Sequence, residues 1–113
     1  MGHRTGVVSA TIEQRLDRVG AGEVATTLQA LATPSRLRIL ATLVEGPCAA
    51  GVLAERAGLE ASACSHQLRL LRHLGLVSGV RDGRSMIYSL ADQHVADLLE
   101  QAIGHAEHQR DGR

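Results

Sequence analysis

Residues 49–90, "AAGVLAERAGLEASACSHQLRLLRHLGLVSGVRDGRSMIYSL", decide the fold. Two short helical segments, "AAGVLAERA" and "EASACSHQLRLLRHL", lie on either side of Gly58. In the second, Ala61, Cys64, Leu68 and Leu71 recur at helical spacing and predict one buried face. Gly58 supplies the tight turn between the helices, and Gly75 ends the second one. "LVSGV" and "SMIYSL" then flank "RDGR", where Asp82-Gly83 is a strong hairpin signal. A helix, a tight turn, a second helix and a hairpin in that order predict a winged helix-turn-helix. The fold class is therefore mainly α with a small β-hairpin.

The flanking sequence extends this frame. Residues 1–10, "MGHRTGVVSA", show no convincing period and are expected to form a flexible N-terminal arm. A short helix is expected around 11–19, ended by Gly20 and Gly22. Residues 23–32, "EVATTLQALA", predict a helix with Val24, Leu28 and Leu31 on one face. Thr33 is positioned to cap the next helix, with Pro34 at its first position. Leu37, Ile39, Leu40, Leu43 and Val44 follow, and Gly46-Pro47 stops that helix. A last helix is expected over 92–108, with 109–113, "QRDGR", as a polar tail. Residues 11–108 then form a single winged-helix domain.

The totals agree with one small domain. A chain of 113 residues supports only a thin core, so burial at a subunit interface would add stability. Apolar residues make up 44%, yet Tyr88 is the only aromatic, so the core must be built from Leu, Val, Ile and Ala. The twelve basic residues are all Arg and balance twelve acids, leaving no net charge to indicate a partner. Their distribution is more telling. Over 61–90, Arg69, Arg72, Arg81 and Arg84 face only Asp82. Over 91–108, Asp92, Asp97, Glu100 and Glu107 meet no Arg at all. A basic middle and an acidic, His-rich end suggest an anionic partner for the first and a cation for the second. No apolar run approaches the length that spans a membrane, and no signal-peptide core is present at the start. Two cysteines without a disulfide framework fit a reducing cytoplasm.

The helix "ASACSHQLRLLRHL" carries the residue types that read a major groove. Gln67 can make paired hydrogen bonds to adenine, while Ser62, Ser65, His66, Arg69 and Arg72 can contact bases or phosphates. Arg81 and Arg84 flank the hairpin tip, where a wing meets the DNA backbone or minor groove. Each element taken alone is better explained as a solvated polar face. Helix, turn, helix and hairpin in sequence favour double-stranded DNA as the partner.

Residues 24–108 resemble the ArsR/SmtB family of metal-responsive repressors over nearly the whole domain. The matching stretches are "LQALATPSRLRIL", "ASACSHQLRLLRHLGLV", "DGRSMIYSL" and "DQHVADLLEQAIGHAEH". The resemblance implies a homodimeric winged helix whose extra helices form the dimer interface. It also implies operator binding without metal, and release when a metal ion binds as inducer.

The last of those stretches holds Asp92 and His94 at one end and His105 and His108 at the other. All four side chains are common metal ligands. His94 and His105 are eleven residues apart, so they share a helix face but lie roughly 16 Å apart along its axis. Metal–nitrogen bonds are about 2 Å long, so one helix cannot close a site with both pairs. Two copies packed antiparallel across a two-fold axis can, each ion taking Asp92 and His94 from one chain and His105 and His108 from the other. Val95, Leu98, Leu99, Ala102 and Ile103 offer an apolar surface for that pairing. Without the resemblance, these residues are better explained as the polar face of an exposed helix. The D-x-H…H-x-x-H spacing coincides with the C-terminal-helix metal site of the resembled family. His66 and His73 fit a DNA-facing and a solvated side chain respectively.

Four such ligands suit tetrahedral Zn(II), and also Ni(II) or Co(II) if more ligands join. "MGH" puts Gly at position 2, so removal of Met1 would leave the Gly2 amine beside His3. Those two nitrogens can chelate together and raise four ligands to six. This start resembles the nickel/cobalt sensors of the family, which implies Ni(II) or Co(II), with Zn(II) as the alternative. A lone His in an arm is the plain competing reading of His3. Other family members sense soft metals through a CxC motif, but "GPCAAGVLAE" holds only Cys48. Cys64 falls at an apolar position and suits a small buried hydrophobe. A thiol switch between Cys48 and Cys64 is a further alternative. A metal-dependent hydrolase would need a general base and cleft outside the ligand set, and the sequence offers neither, so no enzyme is expected. A metal-storage protein would not need the Gln67/Arg69 face.

Overall fold

A computed structural model of the chain describes residues 9–112; the 1–8 portion of the expected arm, with Gly2 and His3, lies outside them. The first described helix, α1 (Ile12–Val19), starts from a reciprocal cap. The Thr11 hydroxyl accepts from the Gln14 amide at 3.1 Å, and Gln14 Oε1 accepts from the Thr11 amide at 2.9 Å. Gly20, at φ 106°, breaks the chain direction between α1 and α2 (Ala21–Ala30). Helix α2 therefore begins two residues before the expected start, with Gly22 inside it rather than before it. Its face also differs from expectation: Ala30 is buried, Val24 and Leu31 are half-buried, and Leu28 points outward.

Helix α3 (Pro34–Val44) starts where its cap predicts, with the Thr33 hydroxyl accepting from the Arg36 amide at 3.3 Å. Strand β1 (Cys48–Ala49) leads into α4 (Ala50–Ala57). Gly58, at φ 71°, closes α4: the Leu59 amide bonds back to the Ala54 carbonyl at 2.9 Å, a left-handed cap that a side chain would strain. Helix α5 (Ala61–His73) follows, and Gly75 ends it with the same pattern, Leu76 N to Leu71 O at 2.9 Å. The hairpin is β2 (Val77–Asp82) and β3 (Ser85–Leu90). Asp82 pairs with Ser85, so Gly83 and Arg84 form the two-residue loop and Asp82 is the last residue of its strand.

The sheet has three strands in the order β1-β3-β2, one more than the expected hairpin. Strand β1 pairs antiparallel with β3 through Cys48↔Tyr88 and Ala49↔Ile87. Two residues are too few to display the alternation that marks a strand, so this one had no sequence signal. Helix α6 (Gln93–Asp111) runs three residues beyond its expected end and takes up most of the "QRDGR" tail.

The core gathers Ile39, Leu40 and Leu43 of α3, Leu53, Ala54 and Ala57 of α4, and Cys64, Leu68 and Leu71 of α5. Val95 and Leu99 close it from α6. Ala61, expected in the buried seam of α5, is exposed because it begins the helix before the body covers it. Two elements lie largely outside this core. Helix α1 buries none of its residues, and every residue of α6 from Glu100 to Asp111 is exposed. The Cα radius of gyration is 17.5 Å, against roughly 13 Å for a compact chain of this length.

Gly79 stands opposite Tyr88 in the hairpin, and a Cβ built there would lie 2.9 Å from Met86 Cε and 3.0 Å from Tyr88 Cε1. The methionine tip can move aside, but the ring is backed by the core. Gly79→Ala should therefore cost about 1–3 kcal/mol by overpacking. The measurement is urea unfolding followed by tyrosine emission, which reports Tyr88 alone. A parent-like midpoint and spectrum would show that the ring does not need the glycine.

Candidate functional site

One side of α5 is fastened to the core through Cys64, Leu68 and Leu71, so the opposite side must face outward. Ser62, Ser65, His66, Arg69 and Arg72 are all exposed there. His66, Arg69, Leu70 and His73 line a shallow groove along that face. Arg72 and His73 sit in the last turn, where a positive charge also complements the helix dipole. Gln67 is different. It is half-buried, beside the seam, and its Oε1 accepts from Arg36 Nε of α3 at 2.8 Å. An arginine only donates, so the atom facing it must be the amide oxygen. Paired bonding to adenine would require that oxygen to be shared. Arg36 carried no expectation from the sequence. Its one visible signal is a cation in the first turn of a helix, where the dipole disfavours it.

The hairpin projects Arg81 at its end and Arg84 at its tip, both exposed. Groove-sized polar side chains on α5 and arginines on the hairpin are thus held by one rigid body, since β2 follows α5 after a short turn at Gly75.

The acidic end of the chain is built on α6. Asp92 caps it: Oδ1 accepts from the Val95 amide at 3.4 Å, and the same oxygen lies 3.4 Å from His94 Nδ1. The structure therefore brings Asp92 and His94 together. The His94 side chain is 90% exposed. His105 and His108 lie one turn apart on the same helix, also exposed. The helix is continuous between the pairs, so they remain roughly 16 Å apart. Among the described residues no three His, Cys, Asp or Glu side chains converge on a point that could hold an ion. The donor chemistry suits a transition-metal ion, but one chain does not complete the set.

The apolar stripe of α6 is divided. Val95 and Leu99, expected to face a partner, are 3% and 2% exposed inside their own domain. Leu98 and Ile103 are 40% and 49% exposed, with Ala102 exposed between them. On α1, Ile12 and Val19 are likewise exposed.

Both cysteines are free and buried. Burial pushes the Cys64 thiol above its ordinary value, and the neighbouring Cys48 raises it further. That favours the neutral thiol and the packing role.

Comparison with known proteins places this geometry. A helix-turn-helix domain family matches residues 31–80. The HTH-type transcriptional regulator NmtR of Mycobacterium tuberculosis is 62% identical over 93 residues, covering 82% of this chain and 78% of that protein. The solution structure of apo-NmtR superposes with a TM-score of 0.69 at 54% identity, covering 96% of this chain and 87% of the other. A transcriptional repressor SmtB homologue of Synechocystis is 41% identical over 87 residues, 77% of this chain and 66% of its own length. The homodimeric winged helix-turn-helix DNA-binding domain Mb0332 of Mycobacterium bovis gives a TM-score of 0.78 at 26% identity, covering 95% of this chain and 96% of the other. These relatives regulate transcription, which sets aside the hydrolase reading.

The thiol environment yields a direct test. At pH 8, where a free thiol is partly ionised, iodoacetamide should label the native protein at least tenfold more slowly than the urea-unfolded chain. Reactivity of Cys64 should rise only at higher pH, because its raised value delays formation of the thiolate. Rapid native labelling of Cys64 at neutral pH would instead support a thiol switch.

Proposed function

The chain belongs to the ArsR/SmtB family of helix-turn-helix transcriptional regulators, and we propose that it is a dimeric repressor released from its operator by Ni(II) or Co(II). The observation that carries this reading is the division of α6. Two ligand pairs stand at opposite ends of a continuous helix, with exposed Leu98, Ala102 and Ile103 between them. A second copy antiparallel to the first would cover that stripe and bring Asp92 and His94 of one chain to His105 and His108 of the other. The exposed apolar face of α1 and the long radius of gyration fit a protomer that is half of a dimer.

In this reading α5 enters the major groove and presents Ser62, Ser65, His66 and Arg69, with Gln67 at the edge of that face and Arg72 at the end of the helix. Arg81 and Arg84 engage the backbone beside it. A two-fold dimer would place two such heads on a two-fold operator. When bound, a divalent ion supplies coordinate bonds that tie the paired α6 helices together. The chain's own contribution is to transmit that tie. Val95 and Leu99 anchor α6 in the core that also holds α5, so a change in the pairing of α6 reorients the reading heads. A coupling of 1–3 kcal/mol, typical of such switches, changes operator affinity about 5- to 150-fold.

Mixing subunits tests the shared site. His94→Ala and His105→Ala homodimers should each bind operator like the parent and lose metal-induced release. Their heterodimer should regain one complete site, read as about half the parent's metal stoichiometry by titration. No recovery would mean that each ion is held within one chain.

The choice of metal rests on Gly2 and His3. Six ligands, with the Gly2 amine and His3 added to the four of α6, favour Ni(II) or Co(II); four alone favour Zn(II). His3→Ala, or an N-terminal tag that blocks the amine, should weaken the nickel and cobalt responses and spare zinc. The visible spectrum of bound cobalt checks this independently, with weak bands expected for six-coordination. Intense tetrahedral bands unchanged by His3→Ala would assign the protein to zinc.

A further inference from the structure

Arg36 has no function in the site described above, although it touches the helix that reads DNA. Its Nε–H donates to Gln67 Oε1 at 2.8 Å, the one hydrogen bond between side chains of different helices among the described residues. Three features of this contact matter together. First, the partner is a neutral amide, so the guanidinium charge is not cancelled, and no ion pair involves Arg36 among the described residues. Second, Nε takes the bond, which leaves the four N–H groups of the two Nη atoms, and no acceptor meets them among the described residues. Third, Arg36 is only half-buried, in the first turn of α3 where the helix dipole works against a cation. A residue kept only to join α3 to α5 would not need a full charge in that place. A free guanidinium fork with two parallel donors matches a phosphate.

We propose that Arg36 is a DNA-backbone contact, held ready by Gln67, so that the nucleic-acid surface extends from α5 onto the start of α3. Gln67 is then a positioning residue: its oxygen fixes the near edge of the guanidinium and turns the far edge outward. This inference rests on the assignment of α5 as the reading helix, and its test separates the two.

The test measures the salt dependence of binding by the full-length dimer. The probes are a duplex selected by the parent protein from a random-sequence library, and a duplex of scrambled sequence. Each phosphate contact contributes about 0.9 to the slope of log affinity against log salt, so Arg36→Gln should lower the slope by roughly two per dimer. Affinity should fall by a similar factor on both duplexes, since a phosphate carries no sequence information. Gln67→Ala should produce a smaller loss in the same direction, because the arginine remains but is no longer held. Arg69→Ala is the control for the reading helix. If it lowers affinity while Arg36→Gln leaves the slope unchanged, Arg36 is only an interhelical tie and the proposal fails. If neither variant alters binding, the assignment of α5 fails and the proposal falls with it. A measurement on the unmodified protein guards against misfolding of the variant. The Arg36 guanidinium NMR signals should shift on adding the scrambled duplex at low salt, and the shift should reverse at high salt. Signals that stay in place while the duplex is bound would overturn the proposal.

Discussion

Burial of one seam of α5 is the constraint on which the rest depends. Cys64, Leu68 and Leu71 pack with α4 and share one core with Leu53, Ala54 and Ala57 of that helix and Ile39, Leu40 and Leu43 of α3, with no aromatic ring to fill gaps except Tyr88. Side chains this small must interlock closely, because a void among aliphatic groups loses both transfer energy and contact. The rotation of α5 about its own axis is thereby fixed. From that rotation follow the outward direction of His66 and Arg69, the edge position of Gln67, and the start of the hairpin two residues after Gly75.

The parts of the fold that were legible are those in which one residue has one local job. Thr33-Pro34, Gly58 and Gly75 mark helix ends because caps and left-handed turns accept few residue types. Asp82-Gly83 marked the hairpin, although the loop itself is Gly83-Arg84. The parts that were not legible depend on neighbours distant in sequence. Strand β1 exists only because β3 offers it an edge. The Arg36–Gln67 bond joins positions 31 residues apart, and neither side chain signals the other. Helix α6 shows the same limit differently: its apolar positions were plain, but which of them face the chain's own core depends on the rotation of the helix against α3. Val95 and Leu99 went inward, which leaves a narrower stripe for a partner.

Charge is organised by region rather than by total. The chain has as many acids as arginines, yet four arginines on α5 and the hairpin meet only Asp82, while 91–108 carries four acids and no arginine. Every basic residue apart from histidine is an arginine, so the positive surface is built from planar guanidinium forks suited to phosphate. Three of the histidines in the described residues are on α6, the acidic end of the chain.

The position of Asp92 has a consequence for the chemistry of α6. Its Oδ1 both caps the helix and faces His94, so the first turn of α6 and one half of the proposed ligand set hang on a single carboxylate. Helix ends are where local opening costs least, and fraying at this end would pull the carboxylate from the imidazole. A ligand that gripped Asp92 and His94 together would therefore also suppress fraying. Order at the start of α6 and occupancy of the proposed site would then be one equilibrium, coupled through a single helical turn.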